Sequence, residues 1–305
     1  MAEPGAEYSR RSSVYWLTDR GARERDLVGD EMACLSGLAD ELPVPPAFCM
    51  TALSPYDLLA GELDELWALL TTAYARMQTI AGQSEPRLVV RRSRCDLSPV
   101  AGMPPTFLNI VGLDGLAAAV HEVLAWPAPT RSTDPRLPPE ALGGRGRSAV
   151  LVQLLVPAEA AVRVGPRPRD PLAATPTSTT GTGSAAPVRA APVDHAVISV
   201  RATWGLGEGI ADGATPADVH LFDHDLRLLH HEVADKEWMT VLADGGVDNV
   251  RVPTRLRRAG SLDLRDARRA ATLYLRARQR LGRDVWLNVA AADGDLTAVA
   301  CTEAD

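Results

Sequence analysis

Trp204-Gly205-Leu206-Gly207-Glu208-Gly209 decides how this chain is read, because it follows directly on an apolar, β-prone run, Ala196-Val197-Ile198-Ser199-Val200. Glycines at alternate positions after a predicted strand let the backbone turn sharply and approach a ligand closely. The pattern is not a dinucleotide fingerprint, since the last glycine comes two residues after its predecessor instead of three. A second stretch, about a hundred residues earlier, runs from Arg91-Arg92-Ser93 to Thr106-Phe107-Leu108-Asn109. The short apolar strand Leu88-Val89-Val90 delivers its two guanidinium groups. Glycine turns and strand-end arginines together suggest a phosphate-handling ancestry.

Outward from these stretches the chain alternates helical and extended patterns. Leu27, Met32, Leu35 and Leu38 recur at helical spacing, and Leu42-Pro43-Val44-Pro45-Pro46 ends that helix because successive prolines forbid its geometry. Phe48-Cys49-Met50-Thr51 reads as a strand. Ser54-Pro55 opens a short helix through Leu58-Leu59, and Leu63, Leu66, Leu70, Tyr74 and Met77 mark another over 62–80. A further helix covers 113–126, a loop 127–147, and a central strand 149–156. Val219-His220-Leu221-Phe222 and Leu226-Arg227-Leu228-Leu229 predict a hairpin about His224-Asp225. An arginine-laced helix over 262–281 precedes two strands, 285–290 and 296–299, joined through Asp293-Gly294.

Residues 1–12 are polar and small and are expected to be disordered. Residues 165–192 are dominated by Pro, Ala, Thr, Ser and Gly, with too little apolar surface to offset an ordering cost of roughly 1–2 kcal/mol per residue, and predict a low-complexity loop. The resulting division is an N-terminal lobe region over 13–164 and a C-terminal lobe over 193–305.

The 305 residues, 46% of them hydrophobic, are enough for two ordinary cores. A formal net charge of −7 argues against nucleic acid as a partner, because phosphate-backbone binding needs a basic surface. No apolar run approaches the roughly 20 residues that span a bilayer, and the N-terminus lacks a signal pattern, so no membrane partner and a cytoplasmic location are expected. The four cysteines have no paired C-x-x-C spacing, which predicts buried free thiols. Lys236 is the chain's only lysine. His220, His224, His230, His231, Glu232 and Asp235 cluster in sequence, but strand alternation is expected to send them to different faces, so no metal is assigned.

In order along the chain, Val28-Gly29-Asp30-Glu31-Met32-Ala33-Cys34-Leu35 is similar to V-G-G-K-x-A-S-L, and Leu42-Pro43-Val44-Pro45-Pro46-Ala47-Phe48 to L-P-V-P-x-G-F. Val90-Arg91-Arg92-Ser93 resembles V-R-S-S, and the segment from Ala101-Gly102 to Leu108-Asn109 resembles A-G-x-x-E-T-x-L-N. Val152-Gln153-Leu154-Leu155-Val156 resembles V-Q-x-M-V. Gly205-Leu206-Gly207-Glu208 with Pro216-Ala217-Asp218 resembles G-L-G-E and its following P-D. These motifs resemble the N-terminal nucleotide-binding region of the phosphoenolpyruvate synthase and pyruvate phosphate dikinase family, which rifampicin phosphotransferase also uses. The resemblance implies an α+β fold, ATP-grasp-like, with two lobes around a central cleft.

It also implies a degenerate, stand-alone form. The family's lysine falls on Glu31, while Arg91 keeps its arginine position. The closing D-x-E and L-Q-x-R-P motifs fall on Trp286 and Asn288, then Ala300 and Thr302, which removes the magnesium ligands. An alternative register puts Asp284 on the first acid. The phosphohistidine and phosphoenolpyruvate domains have no counterpart in these residues. Arg91, Arg92, Trp204, Gly205, Gly207, Trp286 and Asn288 are then the expected ligand-binding residues, and Glu208 the candidate acid or base.

The expected function is binding or conversion of a small organic molecule without a cofactor, by cyclisation, elimination or rearrangement. Two other readings stand beside it. One is an ATP- and magnesium-dependent kinase subunit using Arg91, Arg92 and Lys236 for phosphates and Glu208 and Asp284 for metal, with a separate protein partner. The other is a non-catalytic pseudokinase or scaffold.

Overall fold

The computed structural model describes residues 14–53, 63–94, 106–125, 148–167, 197–211 and 213–304. The expected disordered N-terminus, the short helix after Ser54, the loop over 127–147 and nearly all of the low-complexity loop lie outside them. The described residues mix helices with antiparallel sheets, the α+β class the resemblance implied. They form two compact units: one takes residues up to Asp40, Val44–Leu155 and Ala243–Val247, the other Glu41–Pro43, Val156–Leu242 and Asp248–Asp305. The main division thus falls after Leu155, ahead of the boundary at 164 expected from sequence.

The first unit is built on a five-stranded sheet ordered β1-β2-β5-β3-β4. Its strands are β1 (Val14–Trp16), β2 (Ala47–Leu53), β3 (Leu88–Arg94), β4 (Phe107–Ile110) and β5 (Ser148–Leu154). The helices α2 (Leu63–Ala81) and α3 (Gly112–Ala125) bury Leu70, Met77, Leu116 and Val120 against Phe48, Val90, Val150 and Val152. Helix α1 (Arg25–Leu38) packs against β3 and β5. Its helical geometry breaks at Gly29, which has φ 77° and ψ 171°, and a Cβ there would strike the backbone of Ser93. Close approach and positive φ make glycine necessary at this position.

The second unit carries a six-stranded antiparallel sheet ordered β13-β12-β6-β7-β8-β9. The strands are β6 (Ala160–Pro166), β7 (Ile198–Trp204), β8 (Asp218–Phe222), β9 (Leu228–Glu232), β12 (Val285–Ala292) and β13 (Asp295–Glu303). One face packs on α5 (Leu264–Leu281), whose stripe of Ala267, Ala270, Ala271, Tyr274 and Ala277 is buried. Small side chains let the helix lie close to Val162, Val164, Val200 and Leu287, all fully buried. The β12–β13 hairpin turns at Asp293-Gly294, both with positive φ, as the Asp-Gly signal requires.

A separate hairpin, β10 (Trp238–Ala243) with β11 (Gly246–Arg251), and the short helix α4 (Thr254–Arg257) complete the described elements. The tip of that hairpin belongs to the first unit, where the Asn109 amide donates to the carbonyls of Ala243 at 2.6 Å and Gly246 at 2.7 Å. Cys49 is a buried free thiol. Among the described residues no helix is long and apolar enough to cross a membrane.

Candidate functional site

At the end of β7 the chain turns through Gly205 and Gly207, both with positive φ. The Leu206 N–H donates to the Thr240 carbonyl at 2.9 Å, which ties the glycine loop to β10. A Cβ on Gly207 would overlap that of Ala161 on β6, so the loop lies directly on the sheet. Trp204 is held by its indole N–H, which donates to the Leu256 carbonyl at 3.0 Å. The loop, β10, β11 and α4 enclose a cavity of about 750 Å³ lined by Trp204, Gly207, Glu208, Trp238, Thr240 and Arg257, among others. Trp204, Gly207 and Glu208, expected from sequence, therefore meet. Gly205 does not line the cavity; its N–H donates to the Glu159 carbonyl at 2.8 Å.

Sequence reasoning missed the opposite wall, supplied by Trp238, Asp235, Glu237, Asn249 and Arg257. Its signal was present: a Trp238-to-Leu242 apolar run, then Gly245-Gly246, then Val247 onward is a hairpin pattern. Asp235 accepts from Arg257 and from Arg258, the latter at 3.0 Å, and both hold its carboxyl below the usual aspartate range.

Trp286 and Asn288 do not line this cavity. They project from β12 on the sheet face opposite α5, and their cross-strand partners on β13 are Thr302 and Ala300. The four positions that the resemblance set against the family's acids, glutamine and arginine are thus two directly opposed pairs. Arg163 on β6 lies over the Trp286 ring, 4.6 Å from its centroid, and donates to Asn288 Oδ1 at 3.2 Å. Gly165 leaves room for the indole. The Arg163 guanidinium here would repel a divalent cation and already occupies the Asn288 amide oxygen, and no carboxylate stands at Trp286 or Asn288.

In the first unit, β3 alternation sends Arg91 and Arg92 to opposite faces, so they do not form one binding pair. Arg91 faces α1, where its Nε lies 3.0 Å from Glu31 Oε1 and its Nη2 donates to Gln153 Oε1 at 3.0 Å. Burial raises the Glu31 pKa, and Arg91 opposes that rise only partly. The neighbouring Asp30 pairs with Arg25.

The kinase reading's remaining groups are engaged elsewhere. Lys236 is fully buried, paired with Asp218 and donating to the Ala234 carbonyl at 3.1 Å, so it does not face a phosphate. Burial pushes the Asp218 carboxyl up, but hydrogen bonds from Lys236, Ser261 and Ala234 together hold it below the ordinary value. Asp284 accepts from the Tyr274 hydroxyl at 2.6 Å and pairs with Arg278 at 3.0 Å. The histidines divide differently from expectation, since His220 and His231 are cross-strand partners with rings stacked at 4.3 Å. Burial, then His231, lowers the His220 pKa to about 4, against an upward pull from Asp218. Among the described residues no group of His, Cys, Asp and Glu is placed to hold a metal ion.

Comparison with known proteins adds the lineage. Residues 58–286 match the family model described as pyruvate phosphate dikinase, AMP/ATP-binding domain. The chain is 22% identical over 314 aligned positions to a probable phosphoenolpyruvate synthase of Methanocaldococcus jannaschii, covering 88% of this chain and 25% of that protein. It therefore spans a quarter of that relative's length. Among solved structures, D-alanine–D-alanine ligases of Coxiella burnetii and Bacillus anthracis are similar at 11% and 12% identity, each with a TM-score of 0.34. The alignments cover 92% and 90% of this chain and 47% and 56% of the ligases, a likeness too low to carry an inference.

Proposed function

Because the chain belongs to the pyruvate phosphate dikinase AMP/ATP-binding family, and carries the motif order of a phosphoenolpyruvate-synthase-like nucleotide-binding domain, we propose that it is a member whose phosphotransfer chemistry has been lost. Its second-unit cavity serves a small organic molecule in place of a nucleotide. The observation that carries this reading is the Glu31–Arg91 ion pair. A carboxylate sits where the family motif has lysine, and it neutralises the arginine that remains. Two unit charges about 4 Å apart interact by roughly 4 kcal/mol at an effective dielectric of 20, so exchanging attraction for repulsion at a polyphosphate is a large loss.

The patch on β12 supports the same reading, since Arg163 stands over the positions from which acids would hold magnesium. The kinase alternative would need Lys236, which is sealed against Asp218, and Asp284, which serves Tyr274 and Arg278. Within the cavity, Glu208 is the acid or base for a cyclisation, elimination or rearrangement, and the indoles supply apolar contact. Calorimetric titration with ATP, with and without magnesium, tests the proposal. No binding up to millimolar ATP is expected; tight, magnesium-dependent binding would overturn it.

A further inference from the structure

The cavity's own chemistry narrows the ligand class. Trp238 is 50% exposed, more than any other large hydrophobic side chain among the described residues, and it stands on the cavity wall. An exposed indole lining a concave surface marks a place where a ligand completes burial. Trp204 uses its indole N–H on Leu256, so what it offers the cavity is carbon and π surface. The guanidinium of Arg251 lies 5.1 Å from the Trp238 centroid, so this ring already accepts a cation.

The charges point the same way. Three carboxylates, Glu208, Asp235 and Glu237, line the cavity against one guanidinium, Arg257. Asp235 is matched by Arg257 and Arg258, and Glu237 has Arg251 at 3.8 Å. Glu208 has no side-chain partner among the described residues, and its backbone carbonyl already accepts from Thr215. Three guanidiniums thus balance three carboxylates, but two of them share Asp235, which leaves Glu208 as the carboxylate without a side-chain partner, on the same cavity as the two indoles. An anionic group placed against Glu208 would meet repulsion. A metal ion would find no donor group of the required number among the described residues.

Resting on the reading of a repurposed cavity, we propose that this site binds a primary organic ammonium ion with an aromatic or branched apolar body. The body lies against Trp204 and Trp238, and the ammonium donates to the Glu208 carboxylate. Aromatic or apolar contact and one charge-assisted hydrogen bond then act on the same ligand.

The test uses three probes of similar size, phenethylammonium, phenethyl alcohol and 3-phenylpropionate, titrated calorimetrically into the full chain and into E208Q, with magnesium-ATP as a separate arm. Glu208 is exposed, so its amide variant keeps the fold. The ammonium is expected to bind about tenfold tighter than the alcohol, and the anion more weakly than either. E208Q is expected to erase the ammonium's advantage while leaving the alcohol unchanged, and W238A to weaken both. An anion that binds as well as the ammonium, an ammonium advantage that survives E208Q, or no binding of any probe overturns the proposal. Magnesium-dependent ATP binding overturns the repurposed-cavity reading itself, whereas failure of the probes with no ATP binding overturns the ammonium assignment alone.

Discussion

Glu31 Oε1 lies 3.0 Å from Arg91 Nε, with each side chain 13% exposed. The pair spans α1 and β3, and it exists because Gly29 lets α1 approach Ser93. Arg91→Met strands a buried carboxylate, at a cost of about 3 kcal/mol. Exchanging both residues for Met is expected to recover most of that loss. Because the Glu31 pKa is raised, its contribution is present below the unfolded value of 4.5 and fades as pH rises through the folded one. The Arg91→Met defect should thus be larger at pH 8 than at pH 4.5, as read from urea midpoints; a defect independent of pH would count against the pairing.

Lys236 and Asp218 form a second buried pair, both side chains 0% exposed. Lys236→Met is expected to cost about 3–5 kcal/mol, since Asp218 would stay charged in the interior. Asp218 titrates below its ordinary value of 3.8, so its contribution is present above that pH and is lost as pH falls through the folded value. Denaturant unfolding checks the first statement. The second appears as an acid limb below about pH 4 that Asp218→Asn removes.

His220 supplies a separate limb at higher pH. It stays neutral when folded, with its pKa lowered from 6.5 to about 4, among Asp218, His231 and Phe222. The unfolded chain takes up a proton the native chain refuses, so stability declines as pH falls from 6.5 towards 4, by on the order of 3 kcal/mol. His220→Gln should flatten the unfolding midpoint across that window. A wild-type midpoint constant from pH 7 to pH 4 would contradict the assignment.

Gly207→Ala and Gly245→Ala separate close approach from backbone conformation. Both glycines have positive φ, but a Cβ at Gly207 overlaps Ala161 while one at Gly245 meets nothing within 4 Å. Gly245→Ala should cost about 1 kcal/mol from the left-handed conformation alone. Gly207→Ala should cost about 2–3 kcal/mol and distort the cavity, because overlap adds to the same strain. Equal losses in thermal and urea unfolding would show that the glycine loop does not rest on β6.

Legibility from sequence followed the reach of each interaction. The helices α1, α2 and α3, the central place of β5 and the Asp293-Gly294 turn were readable because apolar period and turn chemistry act within a few residues. β6 was missed: Arg163 and Gly165 interrupt its apolar run, and their reason is Trp286, far along the chain. Half of the cavity was legible in Trp204, Gly207 and Glu208. The other half depends on how β10 folds against the glycine loop through Thr240, which no local pattern announces. Opposite faces for Arg91 and Arg92 were available from strand alternation alone, yet motif resemblance grouped them.

If the chain descends from a metal-binding member, as proposed, the patch on β12 and β13 opposes a return. An acid placed at Trp286 alone would vacate the space the indole fills above Gly165 and set the new carboxylate against Arg163, which would bind it and keep it from a metal. An acid placed at Asn288 meets the same guanidinium. On the proposed descent, no single substitution on this patch rebuilds a cation site, because Arg163 would claim each new carboxylate first.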